Sequence, residues 1–214
     1  SLDAITDEYD LLNKNFHGIV IDLCEEESAQ KVIDILSEKG LYPDCLINNA
    51  RSLKFLQVSQ SGLISRENFL NEYLLDVVIP YELSMKLQRY SKQLKTILNI
   101  GSQYGVTAVN PALYENPERD SPIHYGVAKA ALCHLTKELS IRLADVGVQV
   151  NCIAYGGVEG RASTAFQEKY SSMLPLGRML LESEIVWPIE ALLSDKSAPM
   201  TGQTLNFDGG WTLW

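Results

Sequence analysis

The feature of this sequence that most restricts its fold is the alternation of short apolar segments with longer segments of helical periodicity. Strands joined by helices of this length form βαβ units, which produce a parallel sheet. We therefore predict an α/β fold in which a doubly wound parallel sheet forms a single domain over residues 1–214. The predicted strands are 17–22, 44–48, 95–101, 148–154 and 201–210.

Helical periodicity fills the segments between these strands. In 28–40, apolar residues recur on one helical face, and Gly40 follows the last turn as a cap. The segment 66–92 predicts a long helix that Pro80 bends or begins anew, because proline lacks the N–H that an interior turn needs. Helices are also predicted over 125–146 and 183–195, and a loop over 106–121.

The beginning of the chain lacks a feature that dinucleotide-binding sheets carry. Such sheets open with a strand, a glycine-rich turn and a helix, and the glycines let the backbone approach a pyrophosphate. This sequence begins instead with a predicted helix over 1–16 that leads into the strand 17–22. Without neighbouring strands, that strand would leave backbone groups unpaired, at a cost of about 1–3 kcal/mol each. We therefore expect the native polypeptide to carry about 30–45 further residues before Ser1, with the first strands and the glycine-rich turn.

The charge of the chain argues against some classes of partner. The 18 Lys and Arg residues are outnumbered by 27 Asp and Glu residues, giving a formal net charge of −9. Nucleic acid and anionic membrane surfaces are therefore not expected as partners. A nucleotide stays compatible, since backbone N–H groups bind phosphates. No apolar run has the length of a membrane span and no signal peptide is visible, so we expect a cytoplasmic protein. The three histidines show no metal-ligand spacing, and no metal is expected.

A tyrosine and a lysine four residues apart are the first candidates for chemistry. Tyr125 and Lys129 lie in the stretch HYGVAKAA. Residues at i and i+4 share one face of a helix, with Cβ atoms about 5–6 Å apart. An ammonium near a phenol favours the phenolate, so the pair could act as a general acid/base. The same spacing also occurs on ordinary solvated helix faces.

Polar or glycine residues follow three of the predicted strands. Asn48 and Asn49 end one strand, Ser102 follows the next, and Gly156 and Gly157 follow a third. In open α/β sheets, ligands bind at the carboxyl ends of the strands. The asparagine amides could tie strand ends together or line a crevice, and the glycines could admit a ligand or simply form a turn. Together these strand ends indicate a binding site.

These motifs, in this order, resemble the short-chain dehydrogenase/reductase family over nearly the whole chain, from Asp22 to Trp211. The resemblance rests on VIDL (20–23), LINNA (46–50), Ser102, YGVAK (125–129), AYGGV (154–158), LPLGR (174–178) and TGQTLNFDGGW (201–211). It implies a Rossmann-like fold that binds NAD or NADP. The implied cofactor-binding residues are Asp22 and Leu23 beside the adenine, then Asn48, Asn49 and Ala50, Tyr125 and Lys129, and Tyr155, Gly156 and Val158 near the nicotinamide.

The resemblance also implies a division of labour at the reacting centre. Tyr125 would exchange a proton with the substrate oxygen while a hydride moves to or from the nicotinamide. Lys129 would hold the nicotinamide ribose and favour the phenolate, and Ser102 would orient the substrate oxygen. Asp76 stands where family members often have an asparagine that supports a proton-relay water. We expect these four residues, Ser102, Tyr125, Lys129 and Asp76, to be catalytic.

Further departures from the family pattern bear on the substrate. Arg51 replaces the glycine of the NNAG motif, and could meet an anionic substrate group or simply lie on the surface. The 22 residues between Ser102 and Tyr125 form a longer connection than usual, similar to a loop of sugar-nucleotide epimerases and dehydratases. The segments PYELSMKL, PERDSPIHYGVAKAAL and AYGGVEGRAS resemble bacterial flagellin-modification members of the nonulosonic acid pathway.

The expected function is accordingly an NAD(P)-dependent oxidoreductase that interconverts a secondary alcohol and a ketone, on a sugar or sugar nucleotide. Two alternatives stay open: a non-catalytic nucleotide-sensing or scaffold protein on the same fold, and a sugar-nucleotide epimerase or dehydratase. The apolar end, with Trp211, Leu213 and Trp214, either packs on its own domain or joins subunits. The resemblance implies a homodimer or homotetramer.

Overall fold

The structure is a computed structural model that describes residues 17–160 and 162–213, and it confirms an α/β fold built on a parallel sheet. The described residues form strands β1 (Cys45–Asn48), β2 (Thr96–Ser102), β3 (Gln149–Tyr155) and β4 (Thr204–Phe207), adjacent in that order. Each adjacent pair is parallel, and Ser102 lies opposite Tyr155. The carboxyl ends of the strands therefore lie along one edge of the sheet, where the sequence predicted a site.

Helices connect these strands, as the periodicity predicted. Their bounds are α1 (Ser28–Glu38), α2 (Arg66–Tyr73), α3 (Ile79–Tyr90), α4 (Pro117–Asp120), α5 (Ile123–Arg142), α6 (Thr164–Ser172) and α7 (Val186–Leu193). The predicted loop over 106–121 contains the one-turn helix α4 and a 3₁₀ turn, Pro111–Leu113. Across the described residues, no helix combines the length and the apolar character needed to span a bilayer.

A π-helical turn, Leu74–Val78, interrupts the helix predicted over 66–92. An α-helical hydrogen bond from position 80 would reach the carbonyl of Asp76, but Pro80 has no N–H to donate and its ring crowds that carbonyl. The N–H of Ile79 instead donates to the carbonyl of Leu74, five residues back. The wider turn holds Asp76 in the interior, where it is 4% exposed.

The sheet is buried on both faces. Ile97 and Val150 belong to a cluster with apolar residues of α1, α3 and α5. Leu98 and Ile153 point to the opposite face and pack with Leu192 of α7. All four strand residues are fully buried. Since successive strand residues alternate between faces, near-continuous apolar strands require helices on both sides, which makes the sheet doubly wound.

The prediction of a strand over 17–22 is wrong. These residues form an irregular segment, and Val20 is 73% exposed. An apolar run suits a buried strand, but it forms one only where neighbouring backbone groups accept and donate its hydrogen bonds. The outer edge of β1 likewise pairs with no strand in the described part of the chain. The helix predicted over 1–16 lies outside the described residues.

The C-terminal turn, Trp211–Leu213, packs on its own chain. Trp211 is 4% exposed, and its ring stacks on Tyr170 with the centroids 4.5 Å apart. Tyr104 meets the same indole edge-on at 6.4 Å. Leu213 is 74% exposed, and Trp214 lies outside the described residues. For Trp211, the structure therefore supports packing within the domain.

Candidate active site

Ser102 ends β2 at the carboxyl edge of the sheet. Its hydroxyl oxygen accepts the N–H of Tyr104 at 3.2 Å and so caps the 3₁₀ turn Gln103–Gly105. The residue is 6% exposed, so the packing of this turn fixes the position of the hydroxyl. The structure places this predicted residue at the edge where β1, β2 and β3 end.

The 3₁₀ turn lies directly on α5 because glycines occupy the contact. A Cβ atom at Gly105 would lie 2.7 Å from the carbonyl carbon of Lys129. A Cβ atom at Gly126 would lie 3.1 Å from the carbonyl oxygen of Tyr104. A larger residue at Gly105 would overlap backbone atoms that cannot turn aside. The glycines therefore bring the end of β2 against the part of α5 that carries Tyr125.

Two cations lie beside the ring of Tyr125. The Nζ atom of Lys129 is 5.7 Å from the ring centroid, and the Cζ atom of Arg51 is 5.6 Å from it. Both distances are within the range in which an aromatic ring attracts a cation. Tyr125 is half-buried, Lys129 is 6% exposed and Arg51 is exposed. Arg51 thus lies on the surface and also next to the candidate acid/base.

Lys129 is held by two hydrogen bonds. Its Nζ donates to the carbonyl of Ile100 at 2.9 Å and to Oδ1 of Asp76 at 3.0 Å. These bonds use two of the three Nζ donors, and among the described residues the third is left for a ligand. The side chains of the ion pair are only 8% and 4% exposed. Removal of either partner from such a pair costs about 3–5 kcal/mol, since the other charge is left buried.

A second buried carboxyl lies one turn before Asp76. Glu72, on α2, is 2% exposed and was not predicted from the sequence. Burial raises the pKa of Glu72 to about 7, and the charge of Asp76 adds to this rise, whereas Lys129 and Arg51 oppose it. Burial also raises the pKa of Asp76, against the opposing effect of Lys129. The i, i+4 spacing from Asp76 is the sequence signal that could have identified Glu72.

The amide of Asn48 ties the ends of two strands together. Its Nδ2 donates to Oδ1 of Asn99 on β2 at 2.8 Å, and Asn99 Nδ2 donates to Oγ1 of Thr136 on α5 at 2.9 Å. Thr136 Oγ1 in turn donates to the carbonyl of Leu132 at 3.0 Å. The sequence left two roles open for this amide, and the structure shows both: Asn48 ties two strands together and also lines a cleft.

A cleft lies beside the end of β1. Six of its lining residues are Leu23, Asn48, Asn49, Ala50, Asp76 and Lys129, all of which the sequence predicted for the site. Asn49 and Ala50 are exposed. Asp22, next to Leu23, is also exposed, and its carboxylate accepts the N–H of Cys24 at 2.9 Å. The cleft therefore joins the predicted adenine-side residues to the buried ion pair.

The residues predicted near the nicotinamide lie outside the lining of this cleft. Tyr155 is 8% exposed, and its hydroxyl donates to the carbonyl of Ile185 at 2.5 Å. A Cβ atom at Gly156 would lie 2.7 Å from Cα of Asp208, so this glycine lets β3 approach the turn after β4. Val158 forms an isolated parallel bridge with Leu180.

Tyr170 joins the segments that follow β2 and β3, and it was not predicted from the sequence as part of the site. Its hydroxyl donates to Oε1 of Gln103 at 2.6 Å and accepts the N–H of Gly157 at 2.7 Å. The residue comes from α6, and no local pattern around it indicates contact with two strand ends. The contact fixes the rim of the site on the β3 side.

Comparison with known proteins gives the same result from sequence and from structure. The family model described as enoyl-(acyl carrier protein) reductase matches residues 2–212. The post-translational flagellin modification protein A of Campylobacter coli is 29% identical over 208 residues, which are 94% of this chain and 79% of that protein. A 3-oxoacyl-[acyl-carrier-protein] reductase of Aquifex aeolicus is 28% identical over 201 residues, covering 91% of this chain and 75% of the relative.

A solved structure matches the fold closely. The short chain dehydrogenase from Leptospira borgpetersenii, crystallised with bound NAD+, is 31% identical and superposes with a TM-score of 0.83. The match covers 94% of this chain and 77% of that chain. The sequence comparison and the structural comparison therefore agree on the family and on the fold.

Proposed function

This chain belongs to the short-chain dehydrogenase/reductase family, and we propose that it is an NAD(P)-dependent oxidoreductase that interconverts a secondary alcohol and a ketone. The observation that carries the proposal is the close contact between α5 and the end of β2. This contact sets Tyr125 and its partner Lys129 on the helix that meets the turn after Ser102. Proton exchange with a carbonyl oxygen is favoured by a general acid/base, by a cation that stabilises its conjugate base and by a hydroxyl donor.

The cleft beside β1 suits the cofactor, NAD or NADP, which would supply or accept the hydride. Leu23 offers an apolar contact to a base, and exposed Asp22 lies next to it for the adenosine end. Asn49 and Ala50 are exposed at the end of β1. The third N–H of Lys129 is available to donate to a hydroxyl of the cofactor. The relative that was crystallised with NAD+ supports this assignment.

Proton exchange at the substrate oxygen belongs to Tyr125. Its hydroxyl donates a proton to the oxygen in ketone reduction, and the phenolate takes the proton back in alcohol oxidation. Lys129, fixed by the Ile100 carbonyl and by Asp76, holds a positive charge near that phenolate and so stabilises it. Ser102 uses its oxygen to accept the Tyr104 N–H, which leaves its O–H to donate to the substrate oxygen.

The proposed substrate is a sugar or sugar nucleotide. The similarity to the flagellin modification protein A supports it. So does the resemblance of PYELSMKL, PERDSPIHYGVAKAAL and AYGGVEGRAS to segments of flagellin-modification proteins. Exposed Arg51 beside the Tyr125 ring would bind a phosphate or carboxylate of such a substrate by donating two parallel hydrogen bonds to it.

Association into a homodimer or homotetramer is also proposed. The supporting observation is an exposed apolar surface on α7, where Val186 is 53% and Trp187 is 61% exposed and Trp187 lies 6.0 Å from the ring of Phe207 on β4. Sedimentation of the full-length protein tests it. Wild type should sediment as an oligomer and Trp187→Glu as a smaller species, and a monomeric wild type would contradict the proposal.

The decisive experiment separates cofactor binding from turnover. The full-length protein is titrated with NADH and with NADPH by fluorescence, and turnover is then assayed with keto-sugar nucleotides and with 3-oxoacyl thioesters. Tyr125→Phe should bind the same cofactor as wild type and lose about 10²–10⁴-fold in kcat, because it keeps the ring and loses the proton. Tyr81→Phe, at a 44% exposed position on α3, is the matched control and should keep its kcat.

Other outcomes of this experiment are equally informative. A wild type that binds a cofactor and turns over neither substrate class would favour the sensing or scaffold function. A wild type that binds neither cofactor would contradict the oxidoreductase proposal. Turnover of 3-oxoacyl thioesters alone would overturn the sugar substrate and leave the reaction class intact.

A further inference from the structure

Two buried carboxyl oxygens behind Lys129 have no partner among the described residues. They are Oε2 of Glu72 and Oδ2 of Asp76, and the two residues lie one helical turn apart. The other oxygen of Asp76 accepts the bond from Lys129. A buried acceptor without a partner costs about 1–3 kcal/mol, so both oxygens require an explanation.

The charges around this pair do not balance if both carboxyls are ionised. Asp76 is paired with Lys129, which comes from α5. Arg51, on the loop after β1, is exposed, so water weakens its effect on a group that is 2% exposed. Glu72 would then be a buried anion with no direct partner in the described structure, which proteins avoid by retaining a proton.

No other described group on the neighbouring elements replaces that missing charge. α2 packs on α5 where Phe69 meets His124, whose ring centroids are 5.8 Å apart. His124 is fully buried, and its Nε2 donates to the carbonyl of Phe55 at 2.7 Å, so this donor is not available to Glu72. Tyr125 follows His124 on α5 and is the group whose phenolate Lys129 stabilises. A proton on Glu72 is therefore the local solution.

We propose that Glu72 carries the one proton of this carboxyl pair, and that loss of this proton weakens the support that Lys129 gives to the Tyr125 phenolate. With this proton in place Glu72 is no longer a buried anion, and the single negative charge behind Lys129 is that of Asp76. When the proton leaves for solvent, the charge behind Lys129 changes from −1 to −2, and the ammonium is more fully neutralised. Glu72 is thus a positioning residue that acts on Tyr125 through Lys129.

This pair would make proton exchange at Tyr125 depend on the ionisation of a group that does not touch the substrate. The raised pKa of Glu72, about 7, agrees with such a role, because the proton is then gained and lost near neutral pH. The inference extends the proposed function, since it concerns the same Tyr125. It predicts that alcohol oxidation, which needs the phenolate, is restrained at alkaline pH.

The test uses two readouts that need no turnover. Infrared spectra of the full-length protein across pH 5–9 are compared with those of Glu72→Gln. Wild type should show the C=O band of a protonated carboxylic acid that disappears near neutral pH, and this band should be absent in Glu72→Gln. Glu67→Gln, an exposed glutamate in the first turn of the same helix, should retain it. Absence of the band at low pH in wild type would overturn the proposed proton on Glu72.

The second readout follows Tyr125 itself. The ultraviolet tyrosinate signal of Tyr125 is isolated as the difference between each protein and the same protein carrying Tyr125→Phe. It should appear about one pH unit lower in Glu72→Gln than in wild type, as expected for the removal of a unit charge several ångströms away. Equal midpoints in the two proteins would overturn the control of Tyr125. Both results are independent of whether any alcohol is turned over, so they stand apart from a failure of the proposed function.

Discussion

The burial of a single side chain can make the stability of this protein depend on pH, and Glu72 is the clearest case. The pKa of this carboxyl rises from an ordinary 4.5 to about 7 in the folded chain, chiefly because of burial. Between these two values the folded state binds more protons than the unfolded state. Stability is therefore fully present below pH 4.5 and falls as pH rises through 7.

Glu72→Gln should remove this loss of stability with rising pH. The variant should gain about 2–3 kcal/mol on wild type between pH 4.5 and pH 8, because glutamine has no charge to bury. Urea unfolding at a series of pH values measures the difference, and Glu67→Gln should give a flat difference as the exposed control on α2. A flat difference for Glu72→Gln as well would show that Glu72 is ionised at no cost.

The residues of the site differed in how well the sequence predicted them. Tyr125 and Lys129 were predicted because the i, i+4 rule fixes which side chains share a helical face, and they lie together on α5. Glu72 was not, because a glutamate in a helical segment is usually solvated and burial depends on the elements that pack against it. Arg51 likewise required the fold, since its place beside Tyr125 brings together two distant parts of the chain.

At the scale of elements, the contact between the 3₁₀ turn and α5 depends on the absence of side chains. Gly105→Ala should push the turn away from α5, because its Cβ would lie 2.7 Å from a backbone carbon. We expect a loss of about 1–3 kcal/mol in stability and a lower kcat, with Ser102 displaced from Tyr125. Gly126→Ala, at 3.1 Å from a carbonyl oxygen, should have a smaller effect, since helix propensity favours alanine.

Thermal unfolding and turnover of the two variants show whether Gly105→Ala has the larger effect, as expected. Equal behaviour of Gly105→Ala and wild type would show that the turn has room to move, and would remove the reason for placing Ser102 against α5. A Gly126→Ala protein that is the more damaged of the two would contradict the distances.

Strands with two paired neighbours were predictable, and the segment without them was not. β2 and β3 lie within one residue of their predicted bounds, because each is mostly apolar and has a strand on either side. The segment 17–22 has the same composition but no described partner, so its sequence alone was misleading. Pro80 predicted a disturbance in the long helix, and the structure shows its form, a π-helical turn at Leu74–Val78.

On the scale of the whole molecule, Tyr170 connects the segments that follow β2 and β3 at the carboxyl edge of the sheet. Tyr170→Phe removes the hydroxyl that Gln103 and Gly157 share, and leaves their buried polar groups without it. We expect a loss of about 1–3 kcal/mol in the free energy of unfolding, with the ring stack on Trp211 retained. Tyr81→Phe, at a 44% exposed position, is the control and should stay within about 0.5 kcal/mol of wild type. A Tyr170→Phe protein as stable as the control would show that water replaces the hydroxyl.

The stack of Trp211 on Tyr170 has an optical consequence. The indole is buried at the far end of the chain, yet one ring separates it from the segments that follow β2 and β3. Any ligand that shifts Gln103 or Gly157 moves the Tyr170 ring and with it the surroundings of the indole. The emission that Trp211→Phe removes is therefore a built-in signal of events at the rim of the candidate site, readable in the unlabelled protein.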